Sequence, residues 1–407
     1  MAKRRRGSVL RAGDRSTCDV GPGQRLSASA MTRCWRVLWL CVVWAVLPAP
    51  ASAQALDDRA LASFRRGVAA QERGAWEAAR QAYQQAIEAA PELAAAHANL
   101  GVVLARLDQY AAAVASYERA LAIAPDLQAA RINLGLAHFR AGEIERAVDT
   151  FEQALARDST SLHVRQLLGL ALVDAGREAE AIPHLEVARA AAEEDPAILF
   201  ALGRAYAARG DPRVDEVATQ LSTSPGGRPL WQHLRGLLLQ RQGRHREAIT
   251  ALEAARTAQP ELPGASLAVG ISQLAVGDEA LAREAFERAQ RDAPRDGAPL
   301  FYLAWIEERA GRLVQARQRL EEALLLDAGL VEARALLGKV LLRQQAPSEA
   351  VRHLDKAAGA KPEDASIRYL LAQAHQRAGD GEAAARHFDE ARRLKAREVA
   401  RERAVTR

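Results

Sequence analysis

The sequence predicts an all-α fold, an α-solenoid of about ten stacked helix-turn-helix units. Three sets of small residues recur along the 407 residues at intervals of 34, with one shorter step, and such self-similarity is typical of stacked helical repeats. The first set consists of Gly67, Gly101, Gly135, Gly169, Gly203, Gly236, Gly270, Ala304, Gly338 and Ala372. The second set consists of Ala79, Ala113, Ala147, Ala181, Ala248, Ala282, Ala316, Ala350 and Ala384, and the third set follows it by seven residues.

Each unit is predicted to contain two helices that pack closely through these small residues. A small residue on the first helix and two alanines two turns apart on the second let the backbones approach, while larger residues fill the remaining holes. The larger residues lie between the two alanines: Tyr83, Tyr117, Phe151, Leu185, Leu252, Phe286, Leu320, Leu354 and Phe388.

Glycine and proline mark where the helices of each unit end. Glycine tolerates the left-handed conformation that ends a helix, and proline cannot continue one. The glycines after the first helices are Gly74, Gly142, Gly176, Gly210, Gly243, Gly277, Gly311 and Gly379. The prolines after the second helices are Pro91, Pro125, Pro260, Pro294 and Pro362.

This 34-residue pattern resembles the tetratricopeptide repeat family from residue 60 to about 395. The resemblance implies a right-handed superhelix of about ten TPR-like repeats. It also implies protein-protein interaction through the surface that the first helices line. Ten units in phase are expected at 60–93, 94–127, 128–161, 162–195, 196–228, 229–262, 263–296, 297–330, 331–364 and 365–395.

The fifth unit departs from the pattern. Asp215 and Ser222 replace its two alanines, Pro212 opens a shortened second helix, and a Pro/Gly linker follows at 223–229. This segment is either a surface loop in a continuous superhelix or a hinge. The predicted organisation is an N-terminal array at 60–222, the linker, a C-terminal array at 230–395, and a charged cap helix or tail at 396–407.

A different kind of sequence precedes the repeats. Arg33 and Arg36 come before an apolar run at 37–47, and small residues follow at Ala51 and Ala53. This order predicts a signal peptide at 31–53, cleaved between Ala53 and Gln54, with residues 1–30 as a mis-assigned upstream extension. Alternatively, residues 35–47 stay as a membrane anchor, because three tryptophans enrich the segment in residues that favour membrane interfaces.

Removing the leader changes the charge and the cysteine content. Nine of the 56 basic residues and two of the 51 acidic residues precede Gln54, so the remainder has 47 basic and 49 acidic residues, a net charge of minus two. We therefore expect no nucleic-acid partner. All three cysteines lie in the leader as well, which suits a periplasmic or secreted protein of bacterial type.

The sequence contains no pattern that indicates catalysis. The nine histidines are dispersed, without metal-ligand spacing, and neither a phosphate-binding glycine loop nor a nucleophile elbow is present. We therefore expect no enzyme activity, no cofactor and no metal. An enzyme is a third hypothesis beside an exported scaffold and a membrane-tethered structural component.

Helical periodicity predicts the residues of a protein-binding groove. Positions three before, one after and four after the small residue of each first helix point away from its paired helix. The predicted apolar lining is Phe64, Val68, Phe139, Phe200, Leu237, Phe301, Trp305 and Tyr369. The same rule adds the polar residues Arg204, His233, Glu308 and Lys339.

The mainly apolar composition of this groove predicts the kind of partner. Family members that bind a terminal carboxylate use Lys, Arg and Asn at these positions, whereas only scattered charges occur here. An amphipathic helix or an extended apolar segment is therefore the expected partner. The resemblance further implies a scaffold that supports assembly of a bacterial envelope complex.

Overall fold

The structure of the chain, a computed structural model, describes residues 58–405, so the predicted leader lies outside the described residues. These residues form twenty α-helices and no strand. Repeats one to five contain α1 (Asp58–Glu72), α2 (Trp76–Ala89), α3 (Ala94–Arg106), α4 (Tyr110–Ile123), α5 (Gln128–Ala141), α6 (Ile144–Arg157), α7 (Leu162–Asp174), α8 (Glu178–Ala191), α9 (Pro196–Arg209) and α10 (Val214–Thr223). Repeats six to ten contain α11 (Arg228–Arg241), α12 (His245–Ala258), α13 (Ala265–Val276), α14 (Glu279–Asp292), α15 (Ala298–Arg309), α16 (Leu313–Leu326), α17 (Val331–Arg343), α18 (Pro347–Ala360), α19 (Ala365–Ala378) and α20 (Gly381–Val405).

Packing between helices follows their order along the chain. Each helix packs against the helices before and after it, and first helices of adjacent repeats also contact each other, as α9 and α11 do. No pair of second helices from adjacent repeats packs as extensively within residues 58–405. The first helices therefore line a common inner face, and the prediction of an all-α solenoid is confirmed.

The small residues allow the close packing that the sequence predicts. A Cβ atom added to Gly135 would lie 2.5 Å from Cε1 of Phe151, and one added to Gly169 would lie 2.5 Å from Cγ of Leu185. Both distances are far below ordinary van der Waals contact, so a side chain at either position would require the helices or the facing side chain to move.

Glycine ends the first helix in eight repeats by adopting the left-handed conformation. The φ angles of Gly74, Gly142, Gly176, Gly210, Gly243, Gly277, Gly311 and Gly379 are all positive. In the other two repeats a residue with a side chain takes this conformation: Asp108 has a φ angle of 57° and Gln345 has a φ angle of 60°. Left-handed backbone is unfavourable for a residue with a side chain, so these two positions are strained.

The fifth repeat has a short second helix, as its sequence suggests. Helix α10 has 10 residues where α8 and α12 have 14, and only Val217 and Leu221 are buried on it. A Cβ atom added to Gly203 would contact Leu234 of α11 rather than a residue of α10. Helix α9 thus packs directly on the next repeat.

Two further features concern the membrane and the C-terminus. Within residues 58–405, none of the helices combines the length and the apolar character required to span a bilayer. Helix α20 has 25 residues and continues past the tenth repeat into the charged C-terminal segment.

Candidate protein-binding groove

The eight predicted apolar residues lie on six first helices of the inner face. Phe64 and Val68 lie on α1, Phe139 on α5, Phe200 on α9, Leu237 on α11, Phe301 and Trp305 on α15, and Tyr369 on α19. Seven of these side chains are half-buried, and Tyr369 is 50% exposed. Every one of them therefore retains surface that a partner can contact.

Two of the aromatic rings pack against the second helix of their own repeat. The ring centroids of Phe64 and Tyr83 are 5.7 Å apart, and those of Tyr369 and Phe388 are 5.5 Å apart. Contact with a buried or half-buried ring restricts the motion of each side chain, while the opposite side remains accessible. A fixed aromatic ring loses little conformational entropy when a partner binds it.

Trp305 has a more internal environment than the position rule predicts. Its ring packs against buried residues of two clusters, one shared with repeat seven and one with repeat nine. The guanidinium carbon of Arg309 lies 4.7 Å from the ring centroid, a cation–π distance. Trp305 thus contributes to the packing between repeats as well as to the groove surface.

His233 is buried, so it does not line the groove as the position rule predicts. Its residue exposure is 4%, and its ring centroid lies 5.1 Å from that of Phe200 in the preceding repeat. Burial lowers the pKa of His233 to about 4, with a smaller contribution from nearby Arg204. The imidazole is therefore neutral at pH 7 and suits its apolar surroundings.

The charges predicted in the groove are paired within the array. Arg204 contacts Asp174 of the preceding repeat at 2.7 Å, and Lys339 contacts Glu308 at 3.1 Å. Glu308 also accepts a hydrogen bond from Arg343 at 2.6 Å. Two cations cover the Glu308 carboxylate, which is why this residue is 3% exposed although the position rule places it in the groove.

The environment of Glu308 keeps it ionised. Burial, the largest single effect, raises the pKa of the carboxyl group, but the hydrogen bonds and the positive charges of Arg343 and Lys339 together hold the pKa below its usual value. The groove therefore contains no unpaired charge at Arg204, Glu308 or Lys339.

A set of buried polar pairs was not predicted from the sequence. Three residues past the small position, Glu307 is 4% exposed and pairs with Arg283 at 2.6 Å and also with Arg312. The equivalent His138 lies 2.6 Å from Glu143, five residues later. These pairs could have been predicted from a polar residue three positions after the small residue, followed five positions later by a polar residue that can pair with it.

A cleft of about 420 Å³ lies between repeats four and five, where residues of α8, α9 and α10 line it. Four of its charged residues are paired with each other, since Arg189 contacts Glu216 at 2.6 Å and Arg213 contacts Glu186. Among the described residues, no group of three metal-ligating side chains is close enough to hold an ion.

Comparison with protein families identifies the repeats. Models described as Tetratricopeptide repeat match residues 92–160, 167–213, 233–297, 267–334, 307–374 and 341–401, and a model described as TPR repeat matches residues 71–108. Together they cover well over half of the chain, so the chain belongs to the tetratricopeptide repeat family. A search of curated proteins found no match.

Comparison with solved structures shows the same fold. The APC/C hetero-tetramer Cut9-Hcn1 is similar with a TM-score of 0.52 and 16% identity, over 90% of this chain and 79% of that chain. The human IFIT1 dimer with m7Gppp-AAAA has a TM-score of 0.48 and 14% identity, over 81% of this chain and 89% of that chain. MamA AMB-1 has a TM-score of 0.36 and 22% identity, over 40% of this chain and 98% of that chain.

Proposed function

We propose that the chain is an exported scaffold that binds a protein partner in its inner groove and supports the assembly of a bacterial envelope complex. The observation that carries the proposal is the row of half-exposed apolar and aromatic side chains on the first helices. Buried aromatic contacts supply much of the energy of protein interfaces, and apolar grooves suit amphipathic helices. Protein-protein interaction in general is the activity that the tetratricopeptide repeat family supports.

The paired charges favour an apolar partner over one with a terminal carboxylate. A carboxylate clamp needs cations that are available to the ligand, but Arg204 and Lys339 already contact Asp174 and Glu308. Displacing Lys339 would remove a hydrogen-bond donor from the buried carboxylate of Glu308, which is costly, and a ligand carboxylate would have to compete with Asp174 for Arg204. An amphipathic helix or an extended apolar segment needs no such exchange.

Site-specific photocrosslinking in the cell that produces the protein tests the groove. A benzophenone amino acid replaces Tyr369, which is 50% exposed on the inner face, or Leu325, which is 86% exposed on α16 of the outer face. We expect a discrete crosslinked partner from position 369 and none from position 325. Crosslinking from position 325 alone, or from neither position, would contradict the groove.

We propose a periplasmic or secreted location, because the leader has the order of a signal peptide. The alternative is a membrane-tethered component that retains residues 35–47 as an anchor facing the periplasm. N-terminal sequencing of the protein from its native cell distinguishes the two. Cleavage leaves Gln54 first, whereas a tether retains Trp35, Trp39 and Trp44.

A further inference from the structure

Two loops that are 187 residues apart in sequence meet in the structure. Arg295, between α14 and α15, donates a hydrogen bond of 3.0 Å from Nη2 to the carbonyl oxygen of Asp108, between α3 and α4. The guanidinium carbon of Arg295 lies 4.7 Å from the ring centroid of Tyr110. The contact therefore joins repeat two to the boundary between repeats seven and eight.

The loop of repeat two has an unusual backbone at this contact. Asp108 has a φ angle of 57° at the position where eight other repeats have glycine, and its carboxylate accepts a hydrogen bond of 2.5 Å from the Tyr110 hydroxyl. Burial and the adjacent Asp108 raise the pKa of Tyr110, so the phenol stays protonated and keeps donating. Backbone strain of this kind occurs at functional positions, and at Asp108, unlike at Gln345, it coincides with a contact between distant repeats.

The chain between these two loops contains the repeat with the shortest second helix among the described residues. Helix α10 of repeat five is a turn shorter than α8 and α12, and the segment from Ser224 to Gly227 separates it from α11. A short helix buries less surface, so bending of the array is easiest there. The contact of Arg295 thus spans the point at which the array bends most readily.

We propose that Arg295, Asp108 and Tyr110 form a clasp that holds repeats two and seven at a fixed spacing and restrains bending at repeat five. Asp108 and Arg295 are exposed and Tyr110 is half-buried, so a partner can reach all three. One hydrogen bond and one cation–π contact are weak enough to open and close at equilibrium. Release of the clasp would change the spacing of the first helices and hence the width of the groove.

Distance measurement between spin labels tests the clasp. Cysteines introduced at the exposed positions Ala112 and Arg291 carry the labels in the full chain. The three native cysteines, Cys18, Cys34 and Cys41, are changed to serine. We expect a narrow distance distribution for this parent, and in Arg295→Gln a shift toward longer distances with a second population.

Two further variants make the result specific. Tyr110→Leu removes the ring from the same clasp and should reproduce the shift. Arg235→Gln is the matched control, because Arg235 stacks over Trp231 at 5.7 Å within the single helix α11. An unchanged distribution in both clasp variants, or an equal shift in the control, would overturn the proposal.

Discussion

The close approach of the two helices in a repeat makes Gly135→Ala a sensitive test of how the array packs. The new Cβ would lie 2.5 Å from Cε1 and 2.8 Å from Cδ1 of Phe151, whose ring is 1% exposed. Ordinary contact begins near 3.4 Å, so the helices must separate by about 1 Å or the ring must move. Neighbouring side chains confine Phe151, so both responses are unfavourable.

The expected magnitude combines two opposing effects. Overpacking of this kind costs about 1–3 kcal/mol. Alanine in place of glycine inside a helix stabilises by up to about 1 kcal/mol. Gly359→Ala on α18 isolates the second effect, because a Cβ at Gly359 meets nothing within 4 Å.

Urea unfolding followed by circular dichroism, together with native-state hydrogen exchange of residues 128–157, measures both variants. Exchange is needed because repeat arrays do not always unfold in one step. We expect Gly359→Ala to be neutral or stabilising and Gly135→Ala to be less stable than it by about 1–3 kcal/mol. Equal effects of the two substitutions would refute the packing argument.

A second substitution checks the cause of the destabilisation. In repeat eight, the equivalent pair is Ala304 and Leu320, both fully buried in one cluster. Changing Phe151 to leucine in the Gly135→Ala background recreates this native pair and should recover part of the lost stability. Failure to recover any stability would indicate that the ring is not the obstacle.

Two other predictions concern single residues. Gln345→Gly should raise the free energy of unfolding by up to about 1 kcal/mol, since the φ angle of 60° suits glycine; a loss of stability in urea would contradict this. The pKa of Glu308 is lowered in the folded state, so its ionised carboxylate stabilises the fold. This contribution is fully present above the unfolded-state pKa of about 4.3 and is lost as the pH falls through the folded-state pKa. Glu308→Gln should therefore be less stable than the parent at pH 7, and it should lose less stability than the parent between pH 7 and pH 3. Parallel pH profiles of the free energy of unfolding would contradict this.

The repeats could be predicted from the sequence because their signals are local. Spacing alone identified the eight turn glycines, all of which have positive φ angles, and the large residues that face the small positions. Asp108 and Gln345 occupy the turn position without glycine, so their residue type does not indicate a left-handed backbone; only their distance of 34 residues from Gly74 and Gly311 does. Tertiary packing of the flanking helices imposes that conformation on both residues.

The clasp could not be predicted because it depends on geometry that accumulates along the array. Each repeat adds a small rotation, and the meeting of Arg295 with Tyr110 is the result of five successive repeats. Nothing in the residues next to Arg295 or Asp108 indicates a partner 187 residues away. A small error per repeat would place the two loops far apart.

The groove shows how stacking changes the chemistry of individual positions. Within their own repeats, Arg204 and Lys339 are cations on the inner face. In the array, Arg204 contacts Asp174 and Lys339 contacts Glu308, each a carboxylate of the preceding repeat. The solvent-accessible Arg204–Asp174 pair contributes only about 0–1 kcal/mol to stability, whereas Lys339 pairs with the buried carboxylate of Glu308. Both pairs leave the groove without a free cation at that position. The apolar character of the groove is therefore a property of adjacent repeats together, and a fragment that begins at repeat five or repeat nine would present a cation that the full array neutralises.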